Sequence, residues 1–193
     1  MPVYYSTKVP KYNSVAHFLE STFIGFDDLM LSLTSGKVGA NAKPDFDYTN
    51  LGYLFARNDA TEIIYLITQL PHNRTADSDI FLHLHWQQMN SNNVVWVVEY
   101  KWINIGDTVP ADFSTLTSTA ASHKITYTSG NIHQITDFGS IDGTDKGISS
   151  VLLIKLYRTD NIDAGAGTGD ALAWQMDIHY EIDSFGSYQE YVK

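Results

Sequence analysis

From about residue 60 onward the chain alternates apolar and polar residues with period two, and turn-forming clusters break the alternation, the pattern of half-buried antiparallel strands. It predicts strands over Glu62–Leu70, Asp79–Gln87, Val94–Ile103, His123–Thr128, Ile132–Phe138, Ser150–Arg158 and Ala171–Ile182. Between them lie Pro71-His72-Asn73, Asn90 to Asn93, Ser129-Gly130-Asn131, Asp142 to Asp145 and the glycine-rich Ala164 to Gly169, all of turn chemistry. In the last strand Trp174, Met176, Ile178, Tyr180 and Ile182 alternate with Gln175, Asp177, His179, Glu181 and Asp183. That pattern gives one core face and one wet, anionic face, and it pins the register. Val94–Ile103 is apolar on both sides apart from Glu99 and Lys101, and Val151–Leu156 is nearly continuous apolar, as expected of central strands or of strands covered by a neighbouring subunit.

The first 50 residues read differently. Val15, Phe18, Leu19, Phe23, Phe26, Leu29, Met30 and Leu33 fall at helical spacing, broken at Gly25, and predict a short helix. Met1–Asn13 and Ser35–Asn50 read as arms or loops. The expected organisation is an N-terminal arm with a short helix over 1–50 and one all-β unit over 51–193. Seven or more strands without intervening helical periodicity make that unit an antiparallel β-sandwich, with the jelly roll the leading topology.

Composition narrows the chemistry. The 193 residues, 44% hydrophobic and 18% charged, suffice for one well-folded domain. With no cysteine, disulfides, thiolate metal sites and cysteine nucleophiles drop out. A net charge of −10 with scattered basic residues disfavours nucleic acid and anionic membranes as partners. The start has no apolar run fit for a signal peptide, and no stretch approaches the ~18 apolar residues of a membrane span. The product is expected to be made and kept in the cytosol, or to leave by cell lysis.

His83 and His85, two apart on a strand, project from one face and could chelate a metal as in cupins, with Asp177 or Glu181 completing the set if the strands are neighbours. A cupin follows its pair closely with a glutamate, whereas Gln87-Gln88-Met89-Asn90 stands here and the nearest glutamate is Glu99. The competing reading is a hydrogen-bonded surface or interface pair, and no metal or other cofactor is expected. Of the carboxylates Asp177, Glu181 and Asp183, the i, i+4 pair is about 13 Å apart on a strand. Glycoside hydrolysis needs roughly 5 to 9 Å, which Glu181 and Asp183 could meet. An exposed pair of that kind is commonly just solvated, and no catalytic residue is assigned. Gly165-Ala166-Gly167-Thr168-Gly169 runs into a strand and has no Walker lysine, so it reads as a hairpin loop. Asn73-Arg74-Thr75, without a secretory signal, is a polar turn.

Phe26-Asp27-Asp28-Leu29, Leu70-Pro71-His72, Asp79 to Trp86, Asn93 to Trp96 with Glu99-Tyr100, Asp177 to Asp183, Gly186-Ser187 and the end Gln189 to Lys193 occur in a fixed order. On these stretches, spanning residues 26–193, the chain resembles a family of small virion proteins of tailed bacteriophages and prophages. Where that family carries a basic residue and then proline after Asp-Asp-Leu, this chain has Met30-Leu31-Ser32. The resemblance implies a structural component of the virion, assembled in the host bacterial cytoplasm. A capsid decoration protein stands first. A tail- or fibre-associated receptor- or carbohydrate-binding module is the alternative, and a cupin-like metal enzyme the third. Partners would be further copies of the chain, a trimer being favoured, and virion proteins such as the major capsid protein. Expected interface residues are Lys8, Lys11, Phe18, Phe23 and Phe26 at the start and Tyr188 and Tyr191 at the end.

Overall fold

A computed structural model describes residues 25–57, 59–91, 94–159 and 170–187. Eleven strands are described: β1 (Gly25–Ser32), β2 (Lys37–Val38), β3 (Asp45–Asp47), β4 (Gly52–Phe55), β5 (Ile64–Gln69), β6 (Ile80–Gln88), β7 (Val95–Ile103), β8 (Ser114–Thr117), β9 (Ile132–Ile141), β10 (Val151–Thr159) and β11 (Ala171–Ile182). One sheet, here sheet A, runs β3-β4-β11-β6-β9 with β1 also on β11; the other, sheet B, runs β2-β5-β10-β7-β8. The pairs β4·β11, β5·β10, β6·β9 and β7·β8 are nested inside one another and all antiparallel. This is one long ribbon folded back at β7–β8 and wrapped so that successive strands change sheet, closed by β11·β6 and β10·β7. The wrapping is that of a jelly roll, as the strand pattern predicts.

The core lies between the sheets and alternates with the pleat. Leu82, Leu84 and Trp86 of β6 and Met176 and Ile178 of β11 meet Trp96 and Val98 of β7 and Leu152, Ile154 and Leu156 of β10. At its centre Trp96 stands edge-on to Phe55, at 5.2 Å between ring centroids, and to Trp86 at 5.7 Å. Edge-to-face geometry suits the ring quadrupoles and ties the two sheets. β10 lies between β5 and β7, and β7 between β10 and β8, so both strands read as apolar on two faces are interior to their sheet.

Three expectations are corrected. The helix expected over Val15–Leu33 is, where it is described, the strand β1; no α-helix occurs among the described residues. Leu29 and Leu31 pack against the core and Leu33 is fully buried, a period of two that helical spacing had masked. Pairing along Gly25–Ser32 covers an edge of β11 that would otherwise be open. With β2 and β3, this part of the first 50 residues belongs to the sheets; the arm proper, 1–24, lies outside the described residues, as does the glycine-rich Ala164–Gly169. The strand expected over His123–Thr128 reduces to an isolated bridge of His123 with Thr136. The buried Gln134 amide takes the place of a ladder there, accepting from Ile125 N at 2.8 Å and donating to Ile125 O at 2.6 Å. Finally, Trp174 leaves the core face. β11 carries a bulge between Ala173 and Gln175, so Ala173 and Met176 face inward while the intervening indole turns out. Glycine at 52 makes room, since a Cβ there would stand 2.8 Å from the Trp174 ring.

Beneath Trp86 a chain of hydrogen bonds has one consistent direction. Trp86 Nε1–H donates to Thr136 Oγ1 at 2.7 Å, and that hydroxyl donates to His123 Nδ1 at 2.8 Å. His123 Nε2–H then donates to the carbonyl of Val94 at 2.9 Å. This direction belongs to the neutral imidazole, and burial depresses the His123 pKa against the opposing pull of that carbonyl. A base with a depressed folded pKa contributes stability above its unfolded value, about 6.5, and loses it as pH falls below that and through the folded value. Thr136→Val is expected to cost about 1–3 kcal/mol in denaturant unfolding by stranding two buried groups. His123→Gln should flatten the fall in melting temperature between pH 7.5 and 5.5.

Candidate functional site

The outer face of sheet A gathers residues from four strands. Register places His83 of β6 beside Asp177 of β11 and Asp137 of β9, and Asp28 of β1 beside His179 of β11. At the centre is Asp177, only 5% exposed. His83 Nδ1 lies 3.1 Å from its Oδ2, and His85 Nε2 lies 2.9 Å from its Oδ1. The second contact is off the line of a good hydrogen bond, for Oδ1 has no partner of proper angle. The expected wet, anionic row is therefore corrected: two imidazoles fold over its central carboxylate and β1 runs alongside.

The cluster continues outward in both directions. His85 Nδ1 lies 2.9 Å from Nε2 of His133, whose ring meets the edge of Trp174 at 5.7 Å between centroids. His83 Nε2 is 4.0 Å from Asp137, which is itself paired with Lys124 at 3.0 Å. Further along, His179 Nδ1 is 2.7 Å from Asp28, and Phe26 stacks flat on the His179 ring at 4.7 Å. Phe26 is 54% exposed and Met30, opposite Asp177 on the same strand, 69%.

Environment sets the charges apart. The hydrogen bond to Asp177 raises the His83 pKa, against desolvation, so that ring holds its proton to higher pH. Desolvation lowers the His133 pKa, with the neighbouring His85 acting in the same sense. Burial works to raise the Asp137 carboxyl, but the Gly139 N–H and Lys124 outweigh it and the pKa is lowered. The face is thus a hydrogen-bonded histidine–carboxylate array with an apolar margin.

His83 and His85 share a face as expected, and Asp177 is their neighbour. They do not converge as a cupin pair, because each turns a nitrogen to Asp177, and Glu99 lies in sheet B, bonded to Lys155 at 2.7 Å and Tyr157 at 3.0 Å. Among the described residues no group of three or more His, Asp or Glu side chains is arranged to hold a metal ion. Glu181 sits opposite Phe26 in the ladder. Of the expected interface residues, Phe26 lies in β1, whereas Lys8, Lys11, Phe18, Phe23, Tyr188 and Tyr191 fall outside the described residues. Sequence reasoning placed His179 on the outward face without a partner and missed His133, Asp28 and Asp137. His133 and Asp137, four apart on one strand, share a face by parity alone, but the strand register that brings them to β6 is not readable locally.

A second surface lies beside β3 and β4. An open groove of about 510 Å³ is lined by Val38, Lys43, Pro44, Asp45, Phe46, Tyr48 and Tyr53. Phe46 stands edge-on to Tyr48 at 4.9 Å and to Tyr53 at 5.1 Å, and Tyr48 is 84% exposed.

No protein-family model matches the chain, and no curated protein does. Among solved structures, the chain is similar to the CBM36-1 domain of a multidomain xylanase from the hindgut metagenome of Trinervitermes trinervoides. The match has 15% identity over 79% of this chain and 96% of that one, with a TM-score of 0.40. So remote a likeness carries no argument about ligand or activity.

The raised His83 pKa fixes the sign of a pH effect. Its contribution is fully present below the unfolded value of about 6.5 and is lost as pH rises through the folded value. His83→Gln is therefore expected to destabilise by on the order of 1 kcal/mol at pH 6 and by less at pH 9, read from urea midpoints. In NMR titrations His83 should titrate above an ordinary histidine and drop back in Asp177→Asn.

Proposed function

We propose that the chain is a non-catalytic structural subunit of a tailed-phage particle, a jelly roll that decorates the capsid and docks through the outer face of sheet A and its β1 side. One observation carries the reading. Stretches on which the chain resembles phage virion proteins, Phe26 to Leu29, Asp79 to Trp86 and Asp177 to Asp183, lie far apart in sequence yet lie on three neighbouring strands of sheet A, whose outward residues share one face. The carboxylates of that face are engaged by imidazoles and a lysine, at 2.7 Å for Asp28–His179 and 3.0 Å for Asp137–Lys124, which suits a preformed recognition surface better than acid–base work. Exposed Phe26 and Met30 on β1 supply apolar area at the margin. The preceding segment adds Lys8, Lys11, Phe18 and Phe23, a positive charge and aromatic combination suited to an acidic capsid surface. Self-association into a trimer would use apolar area such as the exposed Ile67 on the outer side of β5.

The groove at Phe46, Tyr48 and Tyr53 favours a second reading, a tail- or fibre-associated module that stacks a host sugar on Tyr48.

Deleting residues 1–14 is expected to leave the melting temperature of the free protein unchanged while retention on particles falls at least tenfold in co-sedimentation. Undiminished retention of both this truncation and Phe26→Ser/Met30→Ser would sink the docking reading. Copy number divides the two roles: hundreds per virion in a quantitative gel mean decoration, tens or fewer mean tail. Under the second reading, glycan-array binding appears and is abolished by Tyr48→Ala without loss of fold.

A further inference from the structure

We propose that the open groove beside β3 and β4 binds neutral, gluco-configured pyranose units of a glycan, stacked on Tyr48 with Lys43 and Asp45 at their hydroxyls, and excludes acidic sugars. The inference rests on the second reading above and names its ligand.

The turn that carries Tyr48 is built to hold it still. Between β3 and β4, Asp47 Oδ1 accepts from the N–H groups of Thr49 at 2.8 Å and Asn50 at 3.2 Å, and its Oδ2 accepts from the Asn50 side-chain amide at 2.7 Å. An aspartate bonded to the backbone two and three residues on closes a turn locally. From another strand, the outward Trp174 donates its indole N–H to the carbonyl of Asn50 at 2.9 Å. Phe46 stands edge-on to the Tyr48 ring at 4.9 Å. Tyr48 is 84% exposed, yet its backbone and ring are held in advance, so a ligand that covers it pays little ordering entropy.

The lining selects the chemistry. β2 and β3 end their sheets, so a groove that runs from Val38 to Tyr53 opens along the rim of the sandwich and admits the interior of a polymer as well as its end. Its volume of about 510 Å³ lies within the roughly 300–1,000 Å³ of small-ligand sites. A pyranose with equatorial hydroxyls turns a face of axial C–H groups outward, and the negative face of an aromatic ring attracts them. Its hydroxyls, each a donor and an acceptor, project around the ring edge, where an ammonium donates and a carboxylate accepts. Lys43 and Asp45 line the groove, both exposed, and neither side chain has a hydrogen bond or ion pair among the described residues. An aromatic floor thus stands beside one available donor and one available acceptor.

Charge decides between neutral and acidic sugars. Lys43 is the one cation of the lining. Against it stand Asp45 and, at the neck of the turn, Asp47, whose hydrogen bonds from Asn50 and Thr49 hold its pKa below the usual carboxylate value. Glu62 feels the charges of Asp59, Asp170 and Asp45, and its pKa is raised by burial and by those three against the N–H of Ala56. The surroundings are negative on a chain of net charge −10, and within a Debye length of about 10 Å they repel a carboxylate-bearing sugar.

The test is an NMR titration of the full chain with cellotetraose and maltotetraose, both neutral, and with β-1,4-tetraglucuronate, which matches cellotetraose in linkage and configuration but carries carboxylates. The expected result is saturable shifts at Phe46, Tyr48 and Tyr53 with a neutral tetrasaccharide, indifferent to salt. The glucuronate should bind at least tenfold more weakly in about 0.01 M NaCl, the gap narrowing at about 1 M as screening grows. Tyr48→Ala should abolish the shifts at an unchanged melting temperature, whereas Tyr48→Phe keeps them, because the stack needs the ring and not the hydroxyl. Lys43→Met/Asp45→Asn should weaken binding roughly three- to tenfold. Glucuronate binding as tight as cellotetraose, or tighter, overturns the inference and leaves the second reading standing. Sugar binding that survives Tyr48→Ala, or a groove saturated by a proline-rich peptide and by no sugar, overturns it as well. So does the absence of shifts with both neutral sugars at about 1 mM; if the glycan array is also blank, the second reading falls with it.

Discussion

Strand β11 constrains everything else. It is hydrogen-bonded to β6 along one side and to β4 and then β1 along the other, and the bulge at Trp174 falls where its neighbour changes. Side chains on a strand alternate, so this one segment sets the parity of both faces of sheet A. Inward it gives Met176, Ile178 and Tyr180 to the core; outward it gives Asp177 and His179 to the histidine–carboxylate array. A slip by one residue would expose Met176 and Ile178, at about 1.5–3 kcal/mol each, and bury a carboxylate among apolar side chains. Core and histidine–carboxylate face are therefore two consequences of one register.

Polar groups inside this molecule are placed by the same logic of satisfaction. Arg74 is fully buried, yet its guanidinium donates to the carbonyls of Thr75 at 2.6 Å and Lys146 at 2.5 Å and stacks over Trp102 at 4.9 Å. Gln134 replaces a missing ladder, and His123 closes the chain from Trp86 to the backbone of Val94. Each uses a planar side chain with fixed donor directions, which commits the loops around the sandwich to one arrangement.

On the outer face, by contrast, satisfaction is partial. Asp177 has one well-aligned imidazole and one poorly aligned, and His85 and His133 turn to each other instead. The face differs from a catalytic cleft in lying open on a sheet, with Phe26 and Met30 at its rim.

What the sequence determined by itself is the class of fold and most of its strands, because period-two alternation is a local property: Ala171–Ile182 was readable to the residue. It also determined that His83 and His85 share a face, since parity on one strand needs no partner. Where two readings were locally equivalent, the tertiary structure decided. Leu29, Leu31 and Leu33 fit a strand and Phe26, Leu29, Met30 and Leu33 fit a helix, and the open edge of β11 selected the strand. The bulge that turns Trp174 outward is invisible in an alternating pattern, for it depends on Gly52 making room from another strand. The histidine–carboxylate face was likewise undetermined, because Asp28, His133 and Asp137 reach His83, His85 and Asp177 only through strand registers, and a register is a relation between segments that no segment carries alone.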